Sequence, residues 1–503
     1  MKNSKSFGQD GIPTTVLKVL KHDISNFLVN AFNEMIDKEV FPSCFKVAKI
    51  IPLFKGGDKD SFNNYRPISL LSNVGKIFEK LISKRILKFL NRHDILDEHQ
   101  FGFRNKRSTT DAIVAQIERI REALEAKEKA SILLLDLKKA FDTIDHKMLF
   151  TKLDRIGIRG KMNKIIESYL TDRYQYIHIG SRSSSMKRLT TGVPQGSILG
   201  PLLFLIYIND LPKNCSNVFV SLYADDTALL SIDPVDPTVK LKDNLENLKI
   251  WFSVNRLQLN LSKSTLINFK QSIAFLDNCV MSCTCKYLGL VLDKNLTFDD
   301  HIRNVVLRSS RLCGVIYRIR TYVNRNNLLL FYECYIKPII IYGILSYGCT
   351  SFNKLKPIFL IQKRIIRAIC YMKKDESVQH KFKDLELLTV YELYCYELIK
   401  YVIKSIRKEL PKNCNFFHLE LSQSSMTTRG MTKTLTRPVK FDTVIMKHSL
   451  KRRSSCIYNY VRGKDILPPD LSNYNTNGIN CFLKQLKRNF IIGNNELVNQ
   501  VFN

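Results

Sequence analysis

Two adjacent carboxylates stand between two apolar runs in the middle of this chain. Residues 218–222 precede the tetrapeptide Tyr223-Ala224-Asp225-Asp226, and residues 227–230 follow it. Apolar runs around a short polar interruption predict a strand, a tight turn and a second strand, with both carboxylates at the tip. Neighbouring carboxylates repel each other, and a divalent cation with oxygen ligands would remove that conflict. The pattern leaves two interpretations open, an ordinary acidic turn and a metal-binding tip.

The charge of the chain limits the class of partner. Its 503 residues include 78 Lys and Arg against 46 Asp and Glu, a formal net charge of +32. This excess predicts a polyanionic partner, either nucleic acid or an anionic membrane. No apolar run approaches the ~18 residues that a membrane span needs, and the first residues lack the apolar core of a secretory signal. We therefore expect a nucleic-acid partner, no membrane and no secretion.

The cysteines indicate the cellular compartment. Thirteen of them, an odd number, are scattered along the chain, which is typical of reduced thiols in the nucleus or cytoplasm. Only Cys279, Cys283 and Cys285 form a cluster, and no nearby His or fourth Cys completes a zinc set. The sequence therefore favours thiols over a zinc site.

Hydrophobic periodicity gives a coarse order of elements. It predicts helices at 73–92, 147–169 and 241–252, an apolar helix ending near Asn209, and strands at 131–135, 264–269 and 287–292. Beyond about residue 300 the pattern is mostly helical and strongly basic. Strands at the centre with helices between and after them predict an α+β or α/β core followed by a helical region.

Asp136 supplies a third carboxylate. It follows the predicted strand 131–135, and open sheets place ligands at the carboxyl ends of their strands. If this strand lies beside the hairpin, Asp136 and Asp225 can share two cations, the arrangement that in-line nucleotidyl transfer uses. Such chemistry needs no side-chain nucleophile, and the common nucleophile and phosphate-loop motifs are absent from the sequence.

Seven short sequence blocks resemble the motifs of reverse transcriptases from non-LTR (LINE) retrotransposons and follow one another in the same order. Their residues are most similar to those of jockey-like elements. The blocks begin with two fingers motifs, continue with motifs A, B and C, and end with motifs D and E. They stand at residues 64–69, 100–109, 135–142, 192–197, 223–226, 259–264 and 286–289. The resemblance runs from about residue 8 to the C-terminus and is densest over 46–293.

The resemblance implies a right-hand polymerase of α+β class, with fingers, a palm built on a small antiparallel sheet, and a helical thumb. The implied boundaries are an N-terminal extension at 1–45, fingers at 46–125, palm at 126–293, a thumb-like helical region at 294–400 and a basic C-terminal region at 401–503. The C-terminal region has two open interpretations, binding of RNA or target DNA and a plain basic surface.

The resemblance also implies catalytic and metal-binding roles. Asp136 and Asp225 would bind two Mg²⁺ ions, for which Mn²⁺ can substitute, and Asp226 would bind less directly. The backbone carbonyl of Leu137 would add a ligand. Lys263 occupies the motif D lysine position, where it would protonate the leaving pyrophosphate, although a plain surface lysine is the alternative.

Three further residues are implied to contact the nucleotide. Phe141 falls at the steric gate, which would crowd a ribose 2′-hydroxyl, and it can be a core aromatic as well. Gln195 and Gly196 lie in a flexible turn that would approach the nucleotide and template, with an ordinary loop as the alternative. Asp142 is expected to be structural, as a cap for the segment before His146.

The remaining implied contacts are to phosphates and to the primer. Arg66, Arg104 and Arg107 are candidates for the triphosphate or the template, because guanidinium matches phosphate in a bidentate fork. The primer grip is expected at Tyr287, Leu288 and Gly289.

The implied function is RNA-directed DNA synthesis, with an RNA template, a DNA primer or target, and dNTPs. The motifs begin almost at the start of the sequence, so we expect that any nicking endonuclease acts in trans. The alternatives are a non-catalytic nucleic-acid-binding relic of a mobile element and an intron-encoded maturase.

Overall fold

A computed structural model of the chain describes residues 6–270, 279–414, 449–464, 466–467, 474 and 476–502, and the backbone of 421–428 and 431–436. Its helices are α1 Thr14–Val19, α2 Lys21–Asp37, α3 Asn73–Arg92, α4 Thr109–Glu125, α5 His146–Arg155, α6 Lys161–Leu170, α7 Leu199–Tyr207, α8 Pro237–Val254, α9 Asp299–Ile319, α10 Arg325–Phe331, α11 Lys337–Ile341, α12 Ile344–Tyr347, α13 Phe352–Cys370, α14 Gln379–Asp384, α15 Val390–Ile406, α16 Leu450–Gly463, α17 Thr476–Leu486 and α18 Asn495–Phe502. Its strands are β1 Val47–Phe54, β2 Tyr65–Leu70, β3 Lys129–Leu135, β4 Arg173–Ile179, β5 Arg182–Ser183, β6 Lys187–Leu189, β7 Phe219–Tyr223, β8 Asp226–Asp233, β9 Thr265–Phe269, β10 Val280–Met281, β11 Thr284–Tyr287, β12 Leu290–Asp293, β13 Leu421–Thr428 and β14 Met431–Thr436.

The chain forms two compact units that alternate along the sequence. The first contains Met1–Phe103, Leu135–Thr227 and Lys242–Lys263, and the second contains Arg104–Leu134, Ala228–Leu241 and Ser264–Asn503. The contiguous boundaries expected from the sequence remain a prediction.

The first unit is built around a small mixed sheet in the order β2-β1-β4-β5, with β6 also paired to β4. β1 is antiparallel to β2 and parallel to β4. The apolar helix α7 begins at a buried carboxylate, because Glu79 of α3 accepts the amides of Ile198 and Leu199 at 2.7 and 3.1 Å. This contact satisfies donors that would otherwise be orphaned at a buried helix start.

In the second unit the strands are hydrogen-bonded in the order β10-β9-β3-β8. β3 and β9 are antiparallel, and their facing residues Ser131 and Asn268 are joined by a 2.6 Å side-chain hydrogen bond. β11 and β12 form a separate hairpin. Helix α9 packs against α13, and a capping box of Thr389 and Glu392 starts α15.

Most predicted elements are confirmed, and the helix at 73–92 has the predicted bounds. Two predictions are wrong. The strand expected at 287–292 is interrupted by a two-residue turn at Leu288 and Gly289, both with positive φ (44° and 88°), which suits a tight hairpin. The helix expected at 147–169 is divided into α5 and α6 by residues 156–160. The mostly helical pattern expected beyond residue 300 is confirmed, and the described residues there also contain one hairpin, β13–β14.

The described part of the C-terminal region is packed into the second unit. Glu118 of α4 accepts the amide of Leu450 at 3.0 Å, at the start of α16. Arg453, in the predicted basic C-terminal region at 401–503, is only 2% exposed and donates to the carbonyls of Gly348 and Thr350 at 3.5 and 3.3 Å. Part of this basic region therefore serves the core rather than the surface.

Candidate active site

Asp136 follows β3 and is held by one asparagine. The Asn260 side-chain nitrogen donates to Oδ2 of Asp136 at 2.9 Å, and the Asn260 amide donates to the Asp136 carbonyl at 2.8 Å. Ser262 donates in turn to Oδ1 of Asn260 at 2.9 Å, which fixes the orientation of the amide. A bridge between Leu137 and Leu259 aligns the two segments. The carboxylate is thus oriented through two successive hydrogen bonds.

The turn that carries Asp225 is held by a buried glutamine. Oε1 of Gln100 accepts the amides of Gly102 and Ala224 at 2.8 and 3.1 Å, and Gln100 is 1% exposed. Ala224 has φ 57°, a left-handed conformation that is costly for a residue other than glycine. Gly102 lies so close that a Cβ there would be 2.3 Å from the Ala224 nitrogen. The tight turn is therefore fixed by the segment 100–102.

The three carboxylates interact electrostatically within the first unit. Desolvation raises the pKa of Asp225, the charge of Asp136 raises it further, and the charge of Arg66 opposes the rise. Desolvation, with the charges of Asp225 and Asp136, raises the pKa of Asp226 to about 6. The structure thus brings together Asp136, Asp225, Asp226 and Arg66.

Gln195 contacts motif A rather than open solvent. Its Nε2 donates to Oδ1 of Asp142 at 2.9 Å, and Gly192 packs against the Asp142 backbone, where a Cβ would come within 2.6 Å of the carbonyl oxygen. The expected capping role of Asp142 is wrong. Asp145 caps α5 instead, because its Oδ1 accepts the Met148 amide at 2.9 Å.

Gly196 lies where the chain must pass very close to β2. It has φ 123°, and a Cβ there would be 2.6 Å from the carbonyl oxygen of Ser69. The Ser69 amide donates to the Gln195 carbonyl at 2.7 Å. The turn of motif B is therefore joined to the first fingers motif by backbone contacts that only glycine permits.

Phe141 is half-buried and stacks on Phe204, with ring centroids 4.7 Å apart and an interplanar angle of 29°. Its carbonyl accepts the Val193 amide at 2.8 Å. Since Phe204 is fully buried, it fixes the position of the Phe141 ring. A ring that is fixed on one face and partly exposed elsewhere suits a steric gate. The same stacking on Phe204 makes Phe141 part of the core as well.

Three lysines surround these groups. Lys263 is exposed, and its amide donates to the Asn260 carbonyl at 3.0 Å, so it belongs to the turn that holds Asp136. Lys139 and Lys55 are near enough to Asp142 for their charges to oppose the rise in its pKa, which desolvation causes. The site therefore combines carboxylates with a set of cations.

Two predicted arginines, Arg104 and Arg107, belong to the second unit. Arg107 is half-buried, and its charge acts on Asp111 and Cys414. Arg104 is half-buried as well.

The predicted primer grip also belongs to the second unit, at the tip of the β11–β12 hairpin. Tyr287 is 3% exposed, whereas Leu288 and Gly289 form the turn. The Tyr342 hydroxyl donates to the Leu288 carbonyl, and its ring lies 3.2 Å from where a Cβ of Gly289 would be. The hairpin tip is thus braced by Tyr342, and only its backbone and Leu288 are open to a ligand.

The donor set suits a hard divalent cation when substrate completes it. Across the part of the chain that the structure describes, no three His, Cys, Asp or Glu side chains are arranged to hold a metal ion by themselves. Mg²⁺ is usually bound by one or two carboxylates together with water and substrate phosphates. Asp136, Asp225 and Asp226 repel one another here, and a cation would relieve that repulsion.

Sequence reasoning missed Gln100, Asn260 and Lys55. Gln100 and Asn260 lie inside two of the seven motif blocks. Their side-chain amides could therefore have been predicted to support the catalytic carboxylates. Lys55 follows β1 and has no signal in the sequence beyond its charge.

Comparison with known proteins finds one matching family and several similar polymerases. Residues 56–292 match the family described as reverse transcriptase (RNA-dependent DNA polymerase). A probable RNA-directed DNA polymerase from transposon BS of Drosophila melanogaster is 31% identical over 415 residues, 77% of this chain and 45% of its own length. The RNA-directed DNA polymerase from the mobile element jockey of the same species is 29% identical over 73% of this chain and 42% of its own. The chain thus spans less than half the length of these relatives.

Structural similarity is weaker. A structure of apo telomerase from Candida tropicalis covers 79% of this chain and 73% of its own at 14% identity, with a TM-score of 0.39, which is too low to support an argument. The family model and the relatives nevertheless confirm the predicted resemblance to non-LTR retrotransposon reverse transcriptases. The helices and small sheets of the structure agree with the predicted α+β class. Polymerases of this family generally use divalent metal ions. Residues 56–292 are therefore a reverse transcriptase domain, and most of the chain is similar to polymerases of non-LTR retrotransposons.

Proposed function

We propose that this chain is an RNA-directed DNA polymerase that adds deoxynucleotides to a primer 3′-hydroxyl under the direction of an RNA template. The proposal rests mainly on the proximity of Asp136 to the turn that carries Asp225 and Asp226. The charge of Asp136 raises the pKa of each of these two carboxyl groups. Carboxylates forced together in this way favour cation-dependent phosphoryl chemistry over a purely structural turn.

Asp136, Asp225 and Asp226, with the carbonyl of Leu137, hold two Mg²⁺ ions in this proposal, and Mn²⁺ can replace them. Bound cations would lower the pKa of the attacking hydroxyl and neutralise charge on the triphosphate. Asn260 keeps the Asp136 carboxylate oriented, which its 2.9 Å hydrogen bond supports. Lys263, exposed in the same turn, protonates the leaving pyrophosphate as a general acid.

Nucleotide selection rests on Phe141, Gln195 and the surrounding cations. The Phe141 ring, backed by Phe204, crowds a ribose 2′-hydroxyl and so favours dNTPs. The turn Gln195–Gly196 approaches the nucleotide through its backbone, while the Gln195 side chain keeps Asp142 in place. Arg66, with the missed Lys55, supplies positive charge for the triphosphate.

The template and the primer are assigned from the charge of the chain and from residues of the second unit. Arg104 and Arg107 contact the template, and the hairpin tip at Leu288 and Gly289 holds the primer strand through its backbone. The net charge of +32 supports an RNA template and a DNA primer or target.

The location is the nucleus or cytoplasm, in a ribonucleoprotein. All thirteen cysteines are thiols, which supports a reducing compartment. Among the described residues, no helix combines the length and apolar character that crossing a membrane requires.

The test is primer extension by the purified full chain on an RNA template with an annealed DNA primer and dNTPs. We expect extension with Mg²⁺ or Mn²⁺, and a loss of at least about 1,000-fold in kcat for Asp225→Asn, which keeps the shape and removes the charge. No extension by the wild type, or unchanged extension by the variant, would overturn the proposal. Salt-dependent nucleic-acid binding without incorporation would support the non-catalytic alternative, which the charge also favours.

A further inference from the structure

A cluster of aromatic and cationic side chains, all exposed except for the half-buried Arg320, lies in the second unit, where the C-terminal ends of α9 and α13 meet. We name it the tyrosine–arginine patch and define it by six residues, Tyr317, Arg318, Arg320, Tyr322, Arg325 and Tyr371. The three tyrosines are 39%, 89% and 55% exposed, in chain order. Exposure of this size is unusual for rings, which normally bury their apolar faces.

Two of the three aromatic rings are held in place by one arginine. The guanidinium carbon of Arg320 lies 4.8 Å from the Tyr317 ring centroid and 5.3 Å from that of Tyr371. The Tyr371 hydroxyl donates to the carbonyl of Arg320, so the end of α13 is tied to the end of α9. The Tyr317 and Tyr371 rings are therefore ordered before any ligand arrives, which lowers the entropic cost of binding.

The positive charges of the patch are not consumed by ion pairs. Among the described residues, no carboxylate forms an ion pair with Arg318, Arg320 or Arg325, and the Arg325 guanidinium donates a hydrogen bond to Sγ of Cys370 at 3.4 Å. Lys373 and Lys374 follow at the end of α13 and are exposed as well. The acidic residues next in sequence, Asp375 and Glu376, offset only part of this charge.

The patch is far from the hairpin that is expected to grip the primer. The N-terminal end of α9 lies at that hairpin, because Nδ1 of His301 accepts the Val291 amide of β12 at 3.3 Å. The patch lies at the other end of the same helix, Asp299–Ile319. At a rise of about 1.5 Å per residue, the two places are about 30 Å apart along α9.

We propose that the tyrosine–arginine patch binds an unpaired nucleic-acid strand, at a place distinct from the hairpin that is expected to grip the primer. Exposed ring faces recognise unstacked bases, and the cations Arg318, Arg325 and Lys373 neutralise the phosphates between them. A duplex has its bases already stacked, so it would gain only from the charges and not from Tyr322 and Tyr371. RNA and single-stranded DNA share this chemistry. The proposal does not depend on polymerase activity.

The test measures binding of a labelled, unstructured oligonucleotide of about 12 nucleotides, within the usual site size of such platforms. Oligo-U and oligo-dT arms distinguish RNA from DNA. The full chain is first saturated with a short unlabelled primer–template duplex, so that the polymerase site is occupied. We expect the labelled strand to bind still, in either arm, and more tightly than a labelled duplex of equal length.

Variants then separate stacking from charge. Tyr322→Ala should weaken strand binding about tenfold, while Tyr322→Phe retains it because the ring face is kept. Tyr335→Ala, at an exposed tyrosine outside the patch, is the matched control. Lys373→Gln should reduce the slope of log K against log salt by about one, whereas Lys356→Gln, at the other end of α13, should not.

Three results would overturn the proposal. One is displacement of the labelled strand by the saturating duplex, and another is equal affinity in Tyr322→Ala and the wild type. The third is a Phe variant as weak as the Ala variant, which would assign the effect to the hydroxyl. Because Tyr322 is 89% exposed, its substitution should leave the thermal unfolding midpoint unchanged, and that measurement accompanies each variant.

Discussion

The side-chain nitrogen of Asn260 donates to Oδ2 of Asp136 at 2.9 Å, and the Asn260 backbone donates to the Asp136 carbonyl at 2.8 Å. One asparagine therefore fixes both the backbone and the carboxylate of a predicted metal-binding residue. Orienting partners of this kind usually matter to a metal site almost as much as its ligands.

Replacing Asn260 should impair catalysis more than substrate binding. Asn260→Ala removes the donor to Asp136, and we expect kcat to fall about 10- to 100-fold with a small change in KM for dNTP. Ser262→Ala removes only the contact that orients the amide, so its effect should be smaller. The measurement is steady-state primer extension, with the exposed Asn295→Ala as control. An equal loss in all three variants would contradict this role.

The support under the catalytic turn predicts a second set of effects. Gly102→Ala would place a Cβ 2.3 Å from the Ala224 nitrogen, so we expect nearly complete loss of extension and a lower unfolding temperature. Gln100→Ala leaves the Ala224 amide without its buried acceptor, which costs about 1–3 kcal/mol. Ala224→Gly should restore part of the activity of Gln100→Ala, since glycine adopts positive φ freely. Gly314→Ala, where the added Cβ meets open space, is the control.

The sequence predicted the catalytic carboxylates of this site better than the contacts that hold them in place. Asp136 and the Asp225–Asp226 turn could be found because apolar strands end at them, and strand ends position ligands. The contact of Gln195 with Asp142 could not be found, because residues 53 positions apart meet only after folding. The turn at Leu288 was missed for another reason, since leucine rarely takes the φ of 44° that tertiary packing imposes here.

The stacked ring of Phe141 predicts a change in sugar selection. Phe141→Ala should raise the use of ribonucleotides relative to deoxynucleotides by about 10- to 100-fold, because the clash with the 2′-hydroxyl is removed. Phe204→Leu keeps the gate ring but loosens its support, so we expect an intermediate ratio. The measurement is single-nucleotide kcat/KM for each sugar. If Phe141 serves only the core, both variants will lose activity on the two sugars equally.

The raised pKa of Asp226 predicts a conflict between stability and function. Folding raises the pKa of the Asp226 carboxyl from 3.8 to about 6. This group therefore destabilises the fold fully above about pH 6 and has no effect below about pH 3.8. At neutral pH without cations, Asp226→Asn should therefore stabilise the protein, by about 1 kcal/mol after allowance for its exposure to solvent. Mg²⁺ should stabilise the wild type more than the variant, as measured by thermal unfolding with and without EDTA. A destabilised variant would contradict the repulsion between these carboxylates.

Buried His301 predicts a loss of stability in mild acid. Desolvation, with the nearby charge of Arg308, lowers the pKa of His301 from 6.5 to about 4. As the pH falls, the imidazole of His301 is protonated in the unfolded chain before it is protonated in the folded chain. The free energy of unfolding is therefore unaffected above about pH 6.5 and decreases by about 3 kcal/mol as the pH falls to about 4. His301→Gln keeps an acceptor for the Val291 amide and should flatten this pH dependence, whereas the exposed His93→Gln should not. Denaturant unfolding across this pH range is the measurement, and an identical slope in His301→Gln and the wild type would rule out His301 as its source.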